Sequence, residues 1–207
     1  MKTVVLVFAK APQIGKVKTR LGKRIGMEQS HWVYLLLLKQ TAQALRKSKI
    51  ETVLFENQTH KTLHTTFEYA RYYQIQKGKD LGEKMKNAFQ WAFKQGYEKV
   101  LIIGSDLWTL DENTLLKAQR TLVQSDFVIG PAYDGGYYLL GMKEPTPALF
   151  ENKNWSTDTV LKETLLDIKD KSVVLLDKKN DIDTLEDLKN TPELYNAYKI
   201  KFYDKQD

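Results

Sequence analysis

The sequence predicts an α/β fold: a mostly parallel sheet with helices on both faces, forming a three-layer αβα sandwich. Short β-branched runs alternate with helix-periodic segments along the chain, and strand–helix alternation in that order implies βαβ units. The runs at 3–9, 100–104 and 173–176 are almost continuously apolar, the pattern of central strands buried on both faces. Pro and Gly are thinly spread and no repeat or low-complexity linker interrupts the alternation. With 207 residues, the expectation is one domain over 1–207.

In chain order, strands are expected at 3–9, 51–55, 72–76, 100–104, 126–130, 137–141 and 172–176. Between the first two, a helix over about 27–47 carries an apolar stripe of Trp32, Leu35, Leu36, Ala42 and Leu45. After the third strand, Met85, Ala88, Phe89, Ala92 and Phe93 fall at i, i+3, i+4, i+7, i+8 spacing, one face of a helix. Asp80 and Glu83 stand as its capping pair. Thr109 and Glu112 read as a capping box for a helix through Leu115 and Leu122. Asp134-Gly135 is a hairpin-turn signal, because such turns need positive φ. Val160, Leu161, Leu165 and Ile168 mark another helix, and Thr184 opens the last.

A hydrophobic share of 42% with 11% aromatics is that of a globular protein rather than a disordered one. The absence of cysteine removes disulfides, thiolate metal sites and cysteine nucleophiles together. The apolar run at 3–9 is too short for a membrane span and lacks a signal peptide's cleavage site, so the cytoplasm is the expected location.

The net charge of +6 is concentrated. Lys10, Lys16, Lys18, Arg20, Lys23 and Arg24 stand within 10–24 with no acid among them, which accounts for the whole excess. A local cationic loop suits a phosphate ligand at least as well as a long polyanion. RNA binding through the loop is a weaker alternative, since no RRM, KH or similar signature accompanies it.

Ligands of open α/β sheets bind beyond the carboxyl ends of the strands, which directs attention to the loops there. The first, from Lys10 through Gly15 to Gly22, is neither a Walker A nor a Rossmann fingerprint. It offers positive charge and backbone donors: Arg20 can clamp a phosphate bidentately, with Lys10, Lys16 and Lys18 as mobile charges. Asp106 ends the buried 100–104 strand at the carboxyl edge, where a magnesium-bound phosphate would lie. Asp181 and Asp183, two residues apart in extended backbone, could face one cation; equally, they could supply helix-start chemistry, with Thr184 and Asp187 as a cap. Asp134 could contact a hydroxyl or the cation, while Gly135 and Gly136 allow backbone amides close approach; a plain hairpin turn is the competing reading. The 76–83 segment could border a base or ribose, or simply feed the capped helix. His60 and His64 lack a third ligand and read as a solvated helix face rather than a zinc site. No Ser–His–Asp set or GxSxG elbow is visible.

Taken together, FAKAPQIGKVKTRL, KGKDLGEKM, IIGSD, IGPAYDGGYYLLGM, NWSTDTVL and DIDTLEDL resemble, in order and spacing, a bacterial MobA-like transferase family of the nucleotide-diphospho-sugar transferase (GT-A) fold. The family is often labelled as glycosyltransferases or as a domain of unknown function. It looks related to 2-phospholactate or phosphoenolpyruvate guanylyltransferases and to molybdenum-cofactor nucleotidyltransferases. The resemblance implies a nucleotide over the basic loop with Lys18 and Arg20 facing phosphates. It also implies Mg2+ or Mn2+ on Asp106, Asp181 and Asp183, and an acceptor beside Asp134, Gly135 and Gly136. One departure stands out: the family often has a proline after GSD, where this chain has Leu107-Trp108-Thr109-Leu110.

The expected function is metal-dependent transfer from a nucleotide donor, with Asp106, Lys18 and Arg20 as the catalytic set. A nucleoside triphosphate giving its nucleotidyl group to a phosphorylated small molecule is the first version. A nucleotide-sugar giving its sugar to an acceptor hydroxyl is the second, and a non-catalytic nucleotide-binding module the third.

Overall fold

The structure, a computed structural model, describes residues 2–203. Seven strands form one sheet in the order β3-β2-β1-β4-β6-β5-β7: β1 (Thr3–Ala9), β2 (Glu51–Glu56), β3 (Tyr72–Ile75), β4 (Lys99–Ile103), β5 (Phe127–Pro131), β6 (Tyr137–Met142) and β7 (Val173–Leu175). Only β6 runs against its neighbours, antiparallel to both β4 and β5. That single reversal matters for the site. Because β5 and β7 are again parallel to β4 in direction, the β5–β6 turn and the segment after β7 emerge at the same edge as the loops after β1 and β4.

Among the described residues there are eight helices around the sheet: α1 (Thr19–Ile25), α2 (Met27–Ser48), α3 (Lys61–Thr66), α4 (Leu81–Lys94), α5 (Glu112–Gln124), α6 (Val160–Asp167), α7 (Leu185–Lys189) and α8 (Pro192–Phe202), with a 3-10 turn at Pro147–Phe150. Strand side chains alternate between faces, so the sheet builds two cores. On one face Val5, Val7, Leu54, Leu101 and Leu139 pack under Leu38 and Leu45 of α2 and Leu115 and Leu122 of α5. On the other, Val4, Leu6, Ile102, Ile129 and Leu140 pack under Met85, Phe89 and Ala92 of α4, with Leu161 and Leu165 of α6 alongside. This is the three-layer arrangement the alternation predicts.

A third apolar cluster lies outside the sheet. Leu21 of α1, Val33 and Leu37 of α2, Ile182, Leu188 of α7, and Leu194 and Tyr198 of α8 are all buried together. The cluster corrects the stripe expected on α2. Its buried residues include Val33, Tyr34, Leu37 and Leu38, while Trp32, Leu35 and Leu36 are half-buried. A helix wedged between two cores is apolar on more than one face, so a single stripe captures only part of what packs: all five expected residues meet one cluster or the other, and Val33, Tyr34, Leu37 and Leu38 join them.

Three further expectations are corrected. β7 is an edge strand, with Val174 and Leu175 40% and 48% exposed; a short apolar run does not by itself say which position in the sheet it takes. The cap of α5 is Asp111, whose side chain accepts from the Thr114 N–H, rather than Thr109. His60 and His64 are not a solvated pair. His60 caps α3 through its ring nitrogen, and His64 Nε2 lies 2.8 Å from Oε1 of the buried Glu56.

Candidate functional site

A cavity of about 480 Å3 opens at the carboxyl edge of the sheet. Of the residues singled out in the sequence, Lys10, Lys16, Lys18, Arg20, Asp106, Asp134, Gly136, Asp181 and Asp183 all line it. Arg20 and Asp106 therefore share one chamber. Gly15 and Gly135 do not. Gly15 sits in a turn of the loop at φ 76°. Gly135, at φ 87°, faces the 155–161 segment: a Cβ there would come within 2.1 Å of the Asp158 carbonyl oxygen, and its own carbonyl accepts from Leu161 N–H at 2.9 Å.

Lys18 holds the centre of the charged wall. Its Nζ lies 2.8 Å from Oδ1 of Asp106 and 2.8 Å from Oδ1 of Asp183, and its side chain is only 3% exposed. Burial opposes the ammonium charge, yet the two carboxylates overcome that and raise its pKa above the ordinary lysine value. Its backbone sits in the left-handed region at φ 47° as the N-cap of α1, a conformation costing a non-glycine residue on the order of 1–3 kcal/mol and typical of functional sites. Lys18 thus faces carboxylates here.

Asp181 lies deeper. Burial, first, and the negative charge of Asp106 push its carboxyl up to about 7, against the pull of Lys18, with Asp134 and Asp183 adding to the rise. The Ile182 N–H donates to the Asp106 carbonyl at 3.0 Å, and Ile182 itself is buried in the third cluster. With that residue as anchor, the flanking aspartates reach the cavity. The cap weighed for this segment is also present: Thr184 and Asp187 form a complete capping box on α7. Asp183 therefore serves the cavity rather than the helix end.

The basic loop is pinned by groups the sequence did not reveal. Tyr34 Oη accepts from the Lys10 N–H and donates to the Lys10 carbonyl, both at 2.9 Å, and lies 3.3 Å from Ser105 Oγ. Burial pushes the Tyr34 phenol up to about 12, so it remains a neutral hydrogen-bonding clamp. Asn57 Oδ1 accepts from Ala11 N–H at 2.7 Å. Gln76 Nε2 donates to the Ala9 and Phe55 carbonyls.

The cavity also has an apolar wall that includes Phe8, Leu81, Met85, Trp155 and Val160. Trp155 sits on the start of α4 at Gly82, where an added Cβ would approach its indole nitrogen to 2.2 Å. It stacks on Phe150 with centroids 6.3 Å apart. A tryptophan in a stretch without regular structure carries no periodic signal, so although NWSTDTVL stands among the resembling segments, nothing in its pattern places Trp155 at the cavity. The 76–83 segment contributes through Leu81 at the cavity and through Asp80, whose carboxylate accepts from Glu83 N–H at 2.9 Å as the cap of α4.

Among the described residues no group of three His, Cys, Asp or Glu side chains is arranged to hold a metal ion. The donors still suit one. Asp106 and Asp183 bring two carboxylate oxygens onto a single cation, the Lys18 ammonium, and hard oxygen donors match magnesium or manganese. Magnesium needs only one or two carboxylates when substrate phosphates and water complete its shell. The expected trio is thus a pair meeting on Lys18, with Asp181 nearby.

A family model described as "Uncharacterized protein conserved in bacteria (DUF2064)" matches residues 37–157. No curated protein sequence matches the chain. Among solved structures, one described as a candidate nucleotide-diphospho-sugar transferase from Desulfovibrio desulfuricans G20 is 30% identical, with a TM-score of 0.86 over 97% of this chain and 94% of that one. At 14% identity, 4-diphosphocytidyl-2C-methyl-D-erythritol synthase from Anaerococcus prevotii DSM 20548 has a TM-score of 0.63, covering 94% of this chain and 98% of that one. The Rv0371C protein of Mycobacterium tuberculosis H37Rv, solved in complex with manganese, is 13% identical with a TM-score of 0.57 over 93% and 99% of the two chains. The fold expected from the sequence motifs is the fold these proteins share.

Proposed function

The chain belongs to the DUF2064 family and has the nucleotide-diphospho-sugar transferase fold, and from that premise we propose that it is a transferase using a nucleotide donor and a divalent cation. The observation that carries this reading is the meeting, in one cavity, of Lys10, Lys16 and Arg20 with Asp106 and Asp183. Cations for phosphate and carboxylates for a metal, without a nucleophilic triad, suit chemistry at phosphorus, where positioning and charge neutralisation can suffice.

In the favoured version the donor is a nucleoside triphosphate and the acceptor a phosphorylated small molecule. An acceptor phosphate oxygen forms a bond to the α-phosphorus, the bond from that phosphorus to the bridging oxygen breaks, and pyrophosphate leaves with the electron pair. Arg20 holds the triphosphate with Lys10 and Lys16, and Asp134 and Gly136 border the acceptor. Asp106 and Asp183, with Asp181 nearby, would hold a magnesium or manganese ion, which would supply charge stabilisation at the phosphoryl oxygens. That one of the similar structures contains manganese supports the choice of ion.

The nucleotide-sugar version is kept because the 30% identical structure is described as a candidate nucleotide-diphospho-sugar transferase. Product analysis separates the two. Pyrophosphate released from GTP, CTP, UTP or ATP in the presence of phosphorylated acceptors supports nucleotidyl transfer, and nucleoside diphosphate released from a sugar donor supports glycosyl transfer. Metal-dependent binding with neither product across a broad panel would return the chain to a non-catalytic nucleotide-binding role. No described helix is long and apolar enough to cross a membrane.

A further inference from the structure

Resting on that reading of the site, we propose that Lys18 is an internal counter-ion that masks the Asp106–Asp183 pair from a bare divalent cation, releasing it only when the cation arrives with a polyphosphate. The two Oδ1 atoms are satisfied by one ammonium at 2.8 Å each. That ammonium is almost wholly buried, so a metal entering alone must part it from both carboxylates it is paired with. An unpaired buried charge is among the most unfavourable outcomes available to a folded chain.

A polyphosphate changes the balance. Its oxygens enter a chamber already lined by Lys10, Lys16 and Arg20, and they offer Nζ a new anion within the sweep of its flexible four-carbon stem. The metal takes the carboxylates, the ammonium takes a phosphate oxygen, and every charge keeps a counter-ion. Lys18 then faces phosphate in the loaded state although it faces carboxylates in the free one. Asp106 and Asp183 converge on one point, so a cation is needed between them whenever no metal is present. The left-handed backbone at Lys18 fixes the origin of the stem, leaving its side-chain torsions to make the exchange.

The test is Mn2+ binding followed by electron paramagnetic resonance, on the full chain, without nucleotide. Lys18→Met is expected to bind Mn2+ alone at least about tenfold more tightly than the wild type, within the usual range of coupling between sites, and Mn2+ is expected to raise its Tm. Lys18→Arg, which keeps a cation, is expected to behave as the wild type. Equal affinity of wild type and Lys18→Met overturns the proposal. So does binding of Mn2+ alone by the wild type that is as tight as its binding with a nucleoside triphosphate present and that Asp106→Asn abolishes, whether or not Lys18→Met folds. Failure of the functional reading looks different: Mn2+ binds Lys18→Met as expected, yet neither the four nucleoside triphosphates nor the common nucleotide-sugars shift the wild-type Tm with Mn2+ present.

Discussion

The Tyr34 hydroxyl closes a two-way clamp on Lys10, accepting from its N–H and donating to its carbonyl at 2.9 Å each. A side chain from the middle of α2 thereby sets the course of the loop as it leaves β1. Replacing it with phenylalanine keeps the ring in the core but strands both backbone groups. Tyr34→Phe is expected to lower stability by about 1–3 kcal/mol and to weaken triphosphate binding severalfold. Denaturant unfolding and calorimetric titration would check the two effects separately, and unchanged nucleotide affinity would mean the loop does not need the clamp.

Asp106 is tested by its amide. Asp106→Asn keeps the shape at the end of β4 while removing half of the anionic pair that Lys18 bridges. The expected outcome is loss of Mn2+-dependent triphosphate binding by about tenfold or more, with the fold retained, as loss of a metal-site contact typically costs. Thermal shift with and without Mn2+ reads both.

Arg20→Ala should discriminate between ligands. If Arg20 clamps phosphate, affinity for a triphosphate falls by roughly 1.5–3 kcal/mol, the worth of a charge-assisted hydrogen bond, while affinity for the corresponding nucleoside barely changes. Equal losses for both ligands would place Arg20 elsewhere than on phosphate.

The contact between α4 and the apolar wall is probed at Gly82. Alanine is the better helix former, yet here its Cβ would meet the Trp155 indole at 2.2 Å. Gly82→Ala is therefore expected to displace Trp155, reducing stability by about 1–3 kcal/mol and shifting tryptophan fluorescence. The double variant Gly82→Ala/Trp155→Phe should recover part of the loss; an unperturbed Tm in the single variant would argue that the wall is soft.

Acid should loosen the β5–β7 edge in a way that one residue controls. The Asp126 carboxylate accepts from the Ser172 hydroxyl at 2.7 Å and N–H at 3.0 Å, and these bonds, the hydroxyl's first, hold its pKa below the ordinary 3.8. A depressed folded value means that the unfolded chain takes up the proton first as pH falls. The stabilisation is full above 3.8 and disappears as pH drops through the folded value. The stability difference between wild type and Asp126→Asn, followed by circular dichroism, should shrink below about pH 3.8; a constant difference would contradict it.

Much of this was legible in the sequence because strands and amphipathic helices announce themselves by period. All seven strands stand within a residue or two of their expected positions, and Lys10, Lys16, Arg20 and Asp106 could be gathered by the rule that ligands bind at carboxyl ends, while the acids at 181 and 183 joined them through their two-residue spacing and the family resemblance. What escaped was of two kinds. Short elements such as α1 were hidden inside the charged loop, and α8 begins only after a break that Pro192, the first residue of that helix, could have signalled. Pairwise facts escaped as well. Nothing in the spacing says that Lys18 turns to Asp106 and Asp183, that Tyr34 reaches Lys10, or that Trp155 rests on Gly82, since each joins segments that only tertiary packing brings together.

The third apolar cluster has a consequence for how the charged chamber survives damage. Leu21 rides on the helix that starts at Lys18, and Ile182 sits between the two acids at 181 and 183; both are seated against Leu194 and Tyr198 of the last helix. Opposite charges are thus kept in register by grease as well as by their own attraction. Trimming the chain back through α8 would let cation and carboxylates drift apart while the seven strands still stood, a failure visible as lost ligand response in a molecule that by circular dichroism looked intact.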